Sequence, residues 1–354
     1  MHEEKQRCVR HLDIWGKKTC LHFYSLRFMC ESCGKPFTEE LSFVEGFRRQ
    51  TIAFEHHIYE LCKAGNRKKV AQKEGLSQST VKDILNRWAR RKTDRSGNIL
   101  TRVLGIDEIS LKKRHKQFAL VISDISNKAI LAVLPDRHKE TLEEWFDGLT
   151  KQQRKAIRFV SIDMWAPYAQ ATRKKLPKAQ LVVDRFHVMK QLNERLSQMR
   201  RNIQHGLPKD KKDILKGMRW ILVKNRSGLS AAEEARLCRM LDLCPSLREL
   251  YLLKEDFRHI FDKVHSRDKA ERFLTAWIYR ARLTGNKFLL KFVSTLQNWW
   301  NEILKYFIER ITNGFVEGLN NSIRNIIRSA FGYRNFENFK LRVFAEQGFP
   351  TNPR

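Results

Sequence analysis

Between residues 50 and 95 the apolar positions recur at the 3.6-residue spacing of amphipathic helices, in three short segments. A turn at Gly75-Leu76-Ser77 separates the second segment from the third, where the Ser77 hydroxyl is well placed to cap a helix. This order predicts a helix-turn-helix. The apolar residues of the three helical faces are Ile58, Leu61, Cys62, Val70, Ala71, Val81, Ile84, Leu85 and Trp88.

The third predicted helix has a polar face opposite its apolar stripe. Gln78, Lys82 and Asn86 share this face with Ser79. Amide and lysine side chains bond to base edges in the major groove, so we interpret this helix as one that reads DNA. The alternative is a helical hairpin used for dimerisation, which the absence of Glu/Lys pairs on this face disfavours.

Ahead of these helices, alternating apolar residues from Leu21 to Met29 predict a strand. The strand leads into Cys30-Glu-Ser-Cys33, a tight turn of the kind that presents two thiolates to zinc. Tetrahedral zinc needs four ligands, and Cys8-Val-Arg-His11 is the upstream pair with similar spacing. A Zn²⁺ site built from these four side chains is a candidate, and the alternative is an orphaned half-site.

From residue 99 the pattern changes to short β-branched strands that alternate with amphipathic helices, after a basic segment, 90–98, typical of a linker. The order β-β-β-α-β-α-β predicts a mixed α/β core with early hairpins. From 186 to 310 helical spacing alone remains and predicts an all-helical region. The predicted strands cover 103–106, 118–123, 129–134, 157–162 and 181–183, and the predicted helices lie around 142–149 and 168–175.

The net charge of the chain indicates which class of molecule it binds. The 354 residues include 69 Lys+Arg against 39 Asp+Glu, a formal net charge of +30. Such an excess repels itself unless a polyanion is present, and duplex nucleic acid is the commonest one. The alternative, a role in solubility alone, is weaker because acidic residues serve solubility better. No stretch approaches the roughly 18 apolar residues that span a bilayer. Seven Cys without an apolar leader indicate a reducing cytosol.

Two aspartates stand where apolar runs stop. Asp107 follows Val-Leu-Gly-Ile, and Asp163 follows Phe-Val-Ser-Ile. If the two predicted strands are neighbours, their carboxylates emerge together at one sheet edge and can share hard cations through oxygen. Carboxylates that close repel each other unless a cation neutralises them. A single Asp at a strand end is more often a turn residue, so the interpretation depends on the pair.

A third acid, Glu317, lies on a predicted helix whose surface is sharply divided. One face is apolar, and the other joins Glu317 to amide and guanidinium groups, which suit a helix laid along a phosphodiester. The alternative for a lone Glu is a solvated helix face. The apolar stripe consists of Val316, Leu319, Ile323 and Ile326, and the polar face also carries Asn320, Asn321, Arg324 and Arg328.

In combination these motifs resemble the bacterial insertion-sequence transposases of the IS-L-three (ISL3) group, over about residues 20 to 345. The motifs are Gly105-Ile-Asp107-Glu108, Ser161-Ile-Asp163-Met-Trp165 with Pro167 and Tyr168, Asp184-Arg-Phe-His187 and Asn313-Gly-Phe-Val-Glu317-Gly-Leu-Asn-Asn321. The resemblance implies a ribonuclease-H-like core interrupted by a helical insertion. It also implies that Asp107, Asp163 and Glu317 hold two Mg²⁺ or Mn²⁺ ions.

The resemblance implies roles for further residues. Asp184 and His187 are expected to position DNA or metal-bound water, although Asp184 is equally suited to cap the helix that follows it. Expected DNA contacts are Trp165, Asn321, Arg324 and Arg328. Members of this group usually begin with a fuller zinc ribbon that contains a first C-x-x-C. In this sequence Cys8 and His11 either take that place or leave the first pair missing.

The expected partners are double-stranded DNA, both terminal inverted repeats and target, and a second copy of the chain on that DNA. The expected location is the bacterial cytoplasm, at the nucleoid. The expected reaction is metal-dependent strand cleavage followed by 3′-hydroxyl strand transfer. Two alternatives stay open, a catalytically decayed transposase acting as a DNA-binding regulator and a nuclease that cuts without joining. The expected segments are 1–45 partial zinc ribbon, 46–98 helix-turn-helix, 99–190 first part of the catalytic core, 191–305 helical insertion and 306–354 second part of the core.

Overall fold

The structure, a computed structural model, describes residues 3–96, 100–112, 117–208, 215–311, 314–330 and 332–348. The chain divides into two compact units. The first comprises Met1–Ile99, Ala129–Ala132 and Asn321–Arg354, and the second comprises Leu100–Lys128 and Val133–Asn320. Across the described ranges, no helix has the length and apolar character needed to cross a membrane.

The strands, in chain order, are β1 (Glu3–Ile14), β2 (Lys17–Met29), β3 (Pro36–Thr38), β4 (Val103–Lys112), β5 (Gln117–Asp124), β6 (Ala129–Leu134), β7 (Phe159–Ile162) and β8 (Gln180–Val183). The described helices are α1 (Ile52–Ala64), α2 (Arg67–Glu74), α3 (Gln78–Ser96), α4 (Lys139–Asp147), α5 (Lys151–Ala156), α6 (Ala166–Lys175), α7 (Arg185–Gly206), α8 (Arg219–Val223), α9 (Ala231–Leu243), α10 (Pro245–Lys263), α11 (Arg267–Leu283), α12 (Lys287–Asn298), α13 (Trp300–Glu309), α14 (Gly314–Ser329) and α15 (Phe336–Gln347).

The first unit opens with a three-stranded antiparallel sheet of order β1-β2-β3. β1 and β2 form a long hairpin, in which Glu3 lies opposite Arg27 and Ile14 opposite Lys17. The alternation from Leu21 to Met29 predicts β2, whereas no apolar alternation predicts β1. β3 pairs with the end of β2 across the turn that contains Cys30 and Cys33.

Helices α1, α2 and α3 form the predicted helix-turn-helix, and side-chain caps fix where each begins. Thr51, Asn66 and Ser77 each accept a hydrogen bond from a backbone N–H in the first turn of the next helix, at 3.2, 2.8 and 3.1 Å. α2 ends at Glu74 and is followed by Gly75, whose φ of +67° is most favourable for a residue without a β-carbon.

The predicted linker over 90–98 is wrong for its described part, because α3 continues to Ser96. Residues 97 and 98 lie outside the described ranges. The segment lacks apolar periodicity, but Arg and Lys have high helix propensity. Extending a helix that has already formed costs far less than starting one, so a polar tail can follow a buried first half.

The main sheet has the order β6-β5-β4-β7-β8, and it confirms the predicted mixed α/β arrangement. β4 pairs antiparallel with β5 and parallel with β7, and β7 pairs parallel with β8. β4 extends past Asp107 to Lys112, because β5 continues to pair with it beyond the point where β7 stops. The prediction that Asp107 ends its strand is therefore wrong, whereas Asp163 does follow the last residue of β7.

From 185 to 309 the described elements are all helical, as the apolar spacing predicts. The rings of Phe257, Trp277 and Phe292 meet edge to face at 4.9 to 5.7 Å in the core of the second unit. Lys254 is buried beside this cluster, and its ammonium donates hydrogen bonds of 3.0 Å to the carbonyls of Leu222 and Lys224. These bonds tie α10 to the end of α8.

Candidate active site

The two aspartates emerge side by side because β4 and β7 are parallel neighbours. Ile106 pairs with Ile162, so Asp107 and Asp163 each occupy the next position along adjoining strands. Both carboxylates are half-buried. The predicted proximity of these two side chains is therefore present in the structure.

Asp107 is held from two directions. Its Oδ1 accepts the backbone N–H of Glu108 at 2.8 Å, and its Oδ2 accepts the side-chain amide of Asn320 at 2.6 Å. Burial raises the pKa of the Asp107 carboxyl, and the nearby charges of Asp163 and Glu108 raise it further. His187 and the Glu108 N–H oppose this rise. The site therefore disfavours a bare negative charge and would favour a cation beside it.

Asp163 faces His187, whose Nδ1 lies 3.4 Å from Asp163 Oδ1. The backbone N–H of Met164 also donates to Asp163 Oδ1. His187 lies in the first turn of α7, which starts directly after β8, so the sheet and the helix together aim the imidazole at the aspartate. The side chain is almost enclosed, with 11% exposure.

Asp184 occupies the N-cap position of α7 and is buried. Its side chain does not make the N-cap hydrogen bond, so a capping bond does not hold the Asp184 side chain in position. Asp184 instead lines a cavity of about 300 Å³ together with Lys254, Arg258 and Glu317. The four side chains place two acids and two cations around one space.

Glu317 lies in the first turn of α14 and is exposed. Within the described ranges no three His, Cys, Asp or Glu side chains are close enough together to hold a metal ion. Val316, next to Glu317, packs against Gly105 of β4 and thereby fixes the start of the helix on the sheet. Asn313 of the predicted motif lies outside the described residues.

The polar face expected on α14 is divided by burial. Asn320 is buried, whereas Asn321, Arg324 and Arg328 are exposed. Arg324 donates a hydrogen bond of 2.7 Å to the Asn321 side-chain oxygen. Asn320 therefore belongs to the carboxylate site, and the three exposed side chains remain available to a ligand.

Arg137 is a further residue of the site that no sequence motif predicts. Its guanidinium donates to both oxygens of Glu108, at 3.3 and 3.2 Å, and lies over the rings of Phe118 and Trp165 at 4.2 and 5.5 Å. Trp165 itself is exposed beside the aspartates. The Glu108 carboxylate that follows Asp107 was the one available signal, since an acid next to the site calls for a cation.

The oxygen donors suit a hard divalent cation. Asp107 and Asp163 offer carboxylate oxygens from adjoining strands. The side-chain oxygen of Asn320 is buried and has no hydrogen-bond partner among the described residues. An unpaired buried acceptor beside two carboxylates is costly in free energy unless a cation or donor satisfies it. Carboxylate and amide oxygens are the donor types that hard divalent cations prefer.

The four candidate zinc ligands do not meet. Cys8 lies opposite His22 on the hairpin, and its Sγ is 3.5 Å from His22 Nε2. His22 precedes Cys30 by eight residues. In an extended strand that separation is roughly 26 Å, far beyond a shared tetrahedral site. His11 is bonded instead to the Thr51 hydroxyl at 2.9 Å.

Cys30 and Cys33 remain together on their turn. Hydrogen bonds from the Ser32 hydroxyl, and then from Cys33, lower the pKa of the Cys30 thiol to about 7. The turn closes through Gly34, which donates to the Cys30 carbonyl at 2.9 Å and has a φ of +64°. A thiol with a lowered pKa is readily deprotonated for metal binding.

The predicted DNA-reading side chains lie on the outer face of α3. Gln78, Ser79 and Lys82 are exposed and Asn86 is half-buried. On the opposite face Val81, Ile84 and Leu85 are buried in the core of the helix-turn-helix. The helix thus presents its amides and its lysine outward, as the spacing predicts.

Comparison with known proteins identifies two matching families. A family model described as transposase matches residues 104–343. A second model, the helix-turn-helix domain of transposase family ISL3, matches residues 39–89. The first match includes all three candidate acids, and the second includes α1, α2 and most of α3.

Full-length similarity extends to curated proteins. The transposase for insertion sequence element IS1001 of Bordetella parapertussis is 30% identical over 358 residues, covering 100% of this chain and 87% of that protein. The transposase for insertion sequence element IS1557 of Mycobacterium tuberculosis is 27% identical over 353 residues, covering 92% of this chain and 78% of that protein.

Proposed function

The chain belongs to the ISL3 family of transposases, and we propose that it cuts and joins DNA at the ends of an insertion sequence through Asp107, Asp163 and Glu317. The observation that supports this most is the register of β4 on β7, in which two carboxylates adjoin. Membership of the family implies the general activity of a transposase, whereas the roles of the individual residues are our proposal.

We propose a ribonuclease-H-like core for this reaction. Support comes from the strand order β6-β5-β4-β7-β8, with a meander followed by two parallel strands. The helices from α7 to α13 would form an insertion between β8 and the helix that carries Glu317. The segments 99–190 and 306–354 would then share the core, 191–305 would be the insertion, 1–45 would be a partial zinc ribbon and 46–98 the helix-turn-helix DNA-binding domain.

The proposed reaction has two displacements at phosphorus. In the first, a water oxygen attacks a phosphodiester at the element end, the bond to the 3′ oxygen breaks, and that oxygen takes up a proton. In the second, the new 3′-hydroxyl loses its proton and attacks a target phosphodiester, whose own 3′ oxygen leaves. Two divalent cations, when bound, would supply positive charge to the attacking and leaving oxygens.

The chain's own residues would hold the reacting groups in place. Asn320 and the Glu108 N–H orient Asp107, and His187 orients Asp163 at 3.4 Å. Such supporting groups commonly affect metal affinity or activity by 10–100-fold. Glu317 is exposed, and we expect it to complete the ligand set once DNA and cations are bound.

We propose duplex DNA as the partner of α3, with Gln78, Lys82 and Asn86 toward base edges. Asn321, Arg324 and Arg328 are proposed to contact DNA from the exposed face of α14. Two ends must be held together for transposition, so a homodimer on DNA is expected. The turn of Cys30 and Cys33 is a proposed half-site for zinc, with its remaining ligands unassigned.

The test is a strand-cleavage assay on a duplex that carries the element's ends, with Mg²⁺ or Mn²⁺. Asp107→Ala, Asp163→Ala and Glu317→Ala should abolish cleavage and keep end binding. Asp268→Ala, an exposed acid in the first turn of α11, is the matched control and should cut normally. Undiminished cleavage by any of the three variants would remove that residue from the site.

The outcome also separates the proposal from the alternatives. A parent protein that binds end DNA but never cuts it would support a decayed transposase that acts as a DNA-binding regulator. Cleavage without joined products would support a nuclease. Strand-transfer products that depend on all three acids would support the transposase reaction.

A further inference from the structure

The outward face of α3 is one wall of a groove of about 840 Å³. The opposite wall is the C-terminal segment of the same compact unit, from the last turns of α14 to α15. The helix-turn-helix family match stops at residue 89 and does not include this second wall. The polar residues of α3 and of the C-terminal segment that line the groove include Gln78, Ser79, Lys82, Asn86, Asn325, Arg334, Asn335 and Asn338.

The groove is strongly cationic. Among its described lining residues the one acid is Glu346, which is bonded to Arg342 and so does not offset the other charges. In the described part of the chain, Arg67, Lys82 and Arg334 form no ion pair. Free cations suit phosphates, and amides suit base edges, so the lining matches a nucleic-acid duplex better than an acidic peptide. The lining cations are Lys63, Arg67, Lys68, Lys82, Arg334 and Arg342.

Both walls are fixed to one core, so the groove is formed in advance of binding. Leu341 and Ala345 of α15 are buried within the core of the helix-turn-helix. The Tyr59 hydroxyl donates to the Ala345 carbonyl at 2.9 Å. Arg342 donates to the carbonyls of Cys62 and Lys63 at the end of α1. A surface that needs no ordering loses less entropy on binding.

We propose that the C-terminal segment is the second half of the DNA-reading surface. With α3 in the major groove, Arg334 would bind the phosphate backbone that borders that groove, and Asn338 would contact the adjoining base edges. This inference rests on the proposed recognition of the element's ends by α3. It assigns end recognition to two segments of the chain that are about 250 residues apart in sequence, 78–86 and 325–338.

The experiment uses the full chain and measures its affinity for an end duplex and for an unrelated duplex, at several salt concentrations. Arg334→Ala should weaken binding to the end duplex about tenfold and reduce the salt slope by about 1. Asn338→Ala should reduce the preference for the end duplex over the unrelated one by about fivefold or more. Lys82→Ala tests whether α3 itself contributes to the affinity for the end duplex.

Two matched controls come from the same unit. Lys69 is exposed on α2 beside Lys68, and the ammonium of Lys340 on α15 lies 4.0 Å from the Glu337 carboxylate. Neither is among the described residues that line the groove. Lys69→Ala and Lys340→Ala should bind within about twofold of the parent, since stray surface cations contribute little. Arg334→Lys should retain most of the affinity, and an unchanged melting temperature should show that each variant is folded.

The outcomes distinguish this inference from the function on which it rests. If Lys82→Ala loses end binding while Arg334→Ala and Asn338→Ala bind like the two controls, the second wall is overturned and recognition by α3 stands. If the parent does not prefer the end duplex, or Lys82→Ala binds like the parent, end recognition by α3 itself is overturned. Loss of binding in Arg334→Ala and Asn338→Ala, with intact controls, supports the two-walled surface.

Discussion

A buried glycine two residues before Asp107 sets how closely α14 approaches the sheet. A β-carbon at Gly105 would lie 2.8 Å from Ser123 Oγ, 2.9 Å from Val316 Cγ2 and 3.1 Å from Ile125 Cδ1. Two of these separations are closer than packed atoms allow. β4 has strands on both sides, so the backbone has little room to yield and the helix must move instead.

Gly105→Ala should therefore destabilise the protein by about 1–3 kcal/mol, the usual cost of one methyl group too many in a filled core. For a unit of this size each kcal/mol corresponds to roughly 2–4 °C of melting temperature. Because Val316 adjoins Glu317, the displacement should also lower end cleavage more than end binding. Thermal unfolding and the cleavage assay measure the two effects separately.

The matched control is Gly318→Ala in α14, where an added β-carbon would meet no atom within 4 Å. Alanine is favoured over glycine inside a helix by about 1 kcal/mol, so this variant should melt at or above the parent's temperature. If Gly105→Ala also melts at or above the melting temperature of the parent and cuts normally, the close approach of α14 to β4 is refuted.

Three further substitutions test other parts of the account. Burial raises the pKa of Asp107, so the folded protein favours the protonated carboxyl. The stability that the protonated Asp107 contributes is present below the ordinary Asp pKa of about 3.9 and is lost as pH rises through the folded-state pKa. Asp107→Asn should accordingly melt above the parent at pH 7, with a difference that shrinks toward pH 4, and should not cut; a difference that grows toward low pH would contradict this sign. Asn320→Ala removes the 2.6 Å bond to Asp107 and should reduce cleavage about 10–100-fold with end binding unchanged, so equal losses of both would argue against a supporting role. Tyr59→Phe removes the hydroxyl bond to Ala345 and should cost about 1 kcal/mol in thermal unfolding, whereas an unaltered melting temperature would show that this bond does not hold α15 in place.

Periodicity predicts most of the core because its strands are β-branched and buried. The hairpin strand β1 differs, since Val9 is its one buried residue and six of its other eleven residues are charged. Such a strand is stabilised by pairing with β2 rather than by a buried face, so the apolar spacing of the sequence does not predict it. Pairing also explains why Asp107 lies inside β4 and not at its end. The antiparallel partner β5 continues to pair with β4 beyond the point where the parallel partner β7 stops.

The candidate site was predictable as far as side-chain type and local spacing allow. The adjacency of Asp107 and Asp163 is predicted on the condition that their two strands are neighbours, and β4 and β7 are neighbours in the sheet. The separation of Asn320 from its exposed neighbours on α14 depends on how the helix lies on the sheet, which helical spacing alone does not specify. The pairs Cys8/His11 and Cys30/Cys33 each have a spacing suitable for zinc, yet the hairpin keeps the two pairs apart.

The central claim, that Asp107 and Asp163 bind the divalent cations used in cleavage, is tested most directly by exchanging their oxygen ligands for sulfur. End cleavage by Asp107→Cys and Asp163→Cys is measured in Mg²⁺ and in Mn²⁺, which accepts sulfur ligands more readily. We expect loss of cleavage in Mg²⁺, partial recovery in Mn²⁺, and no recovery for the alanine variants. Full cleavage in Mg²⁺ by either cysteine variant would contradict it.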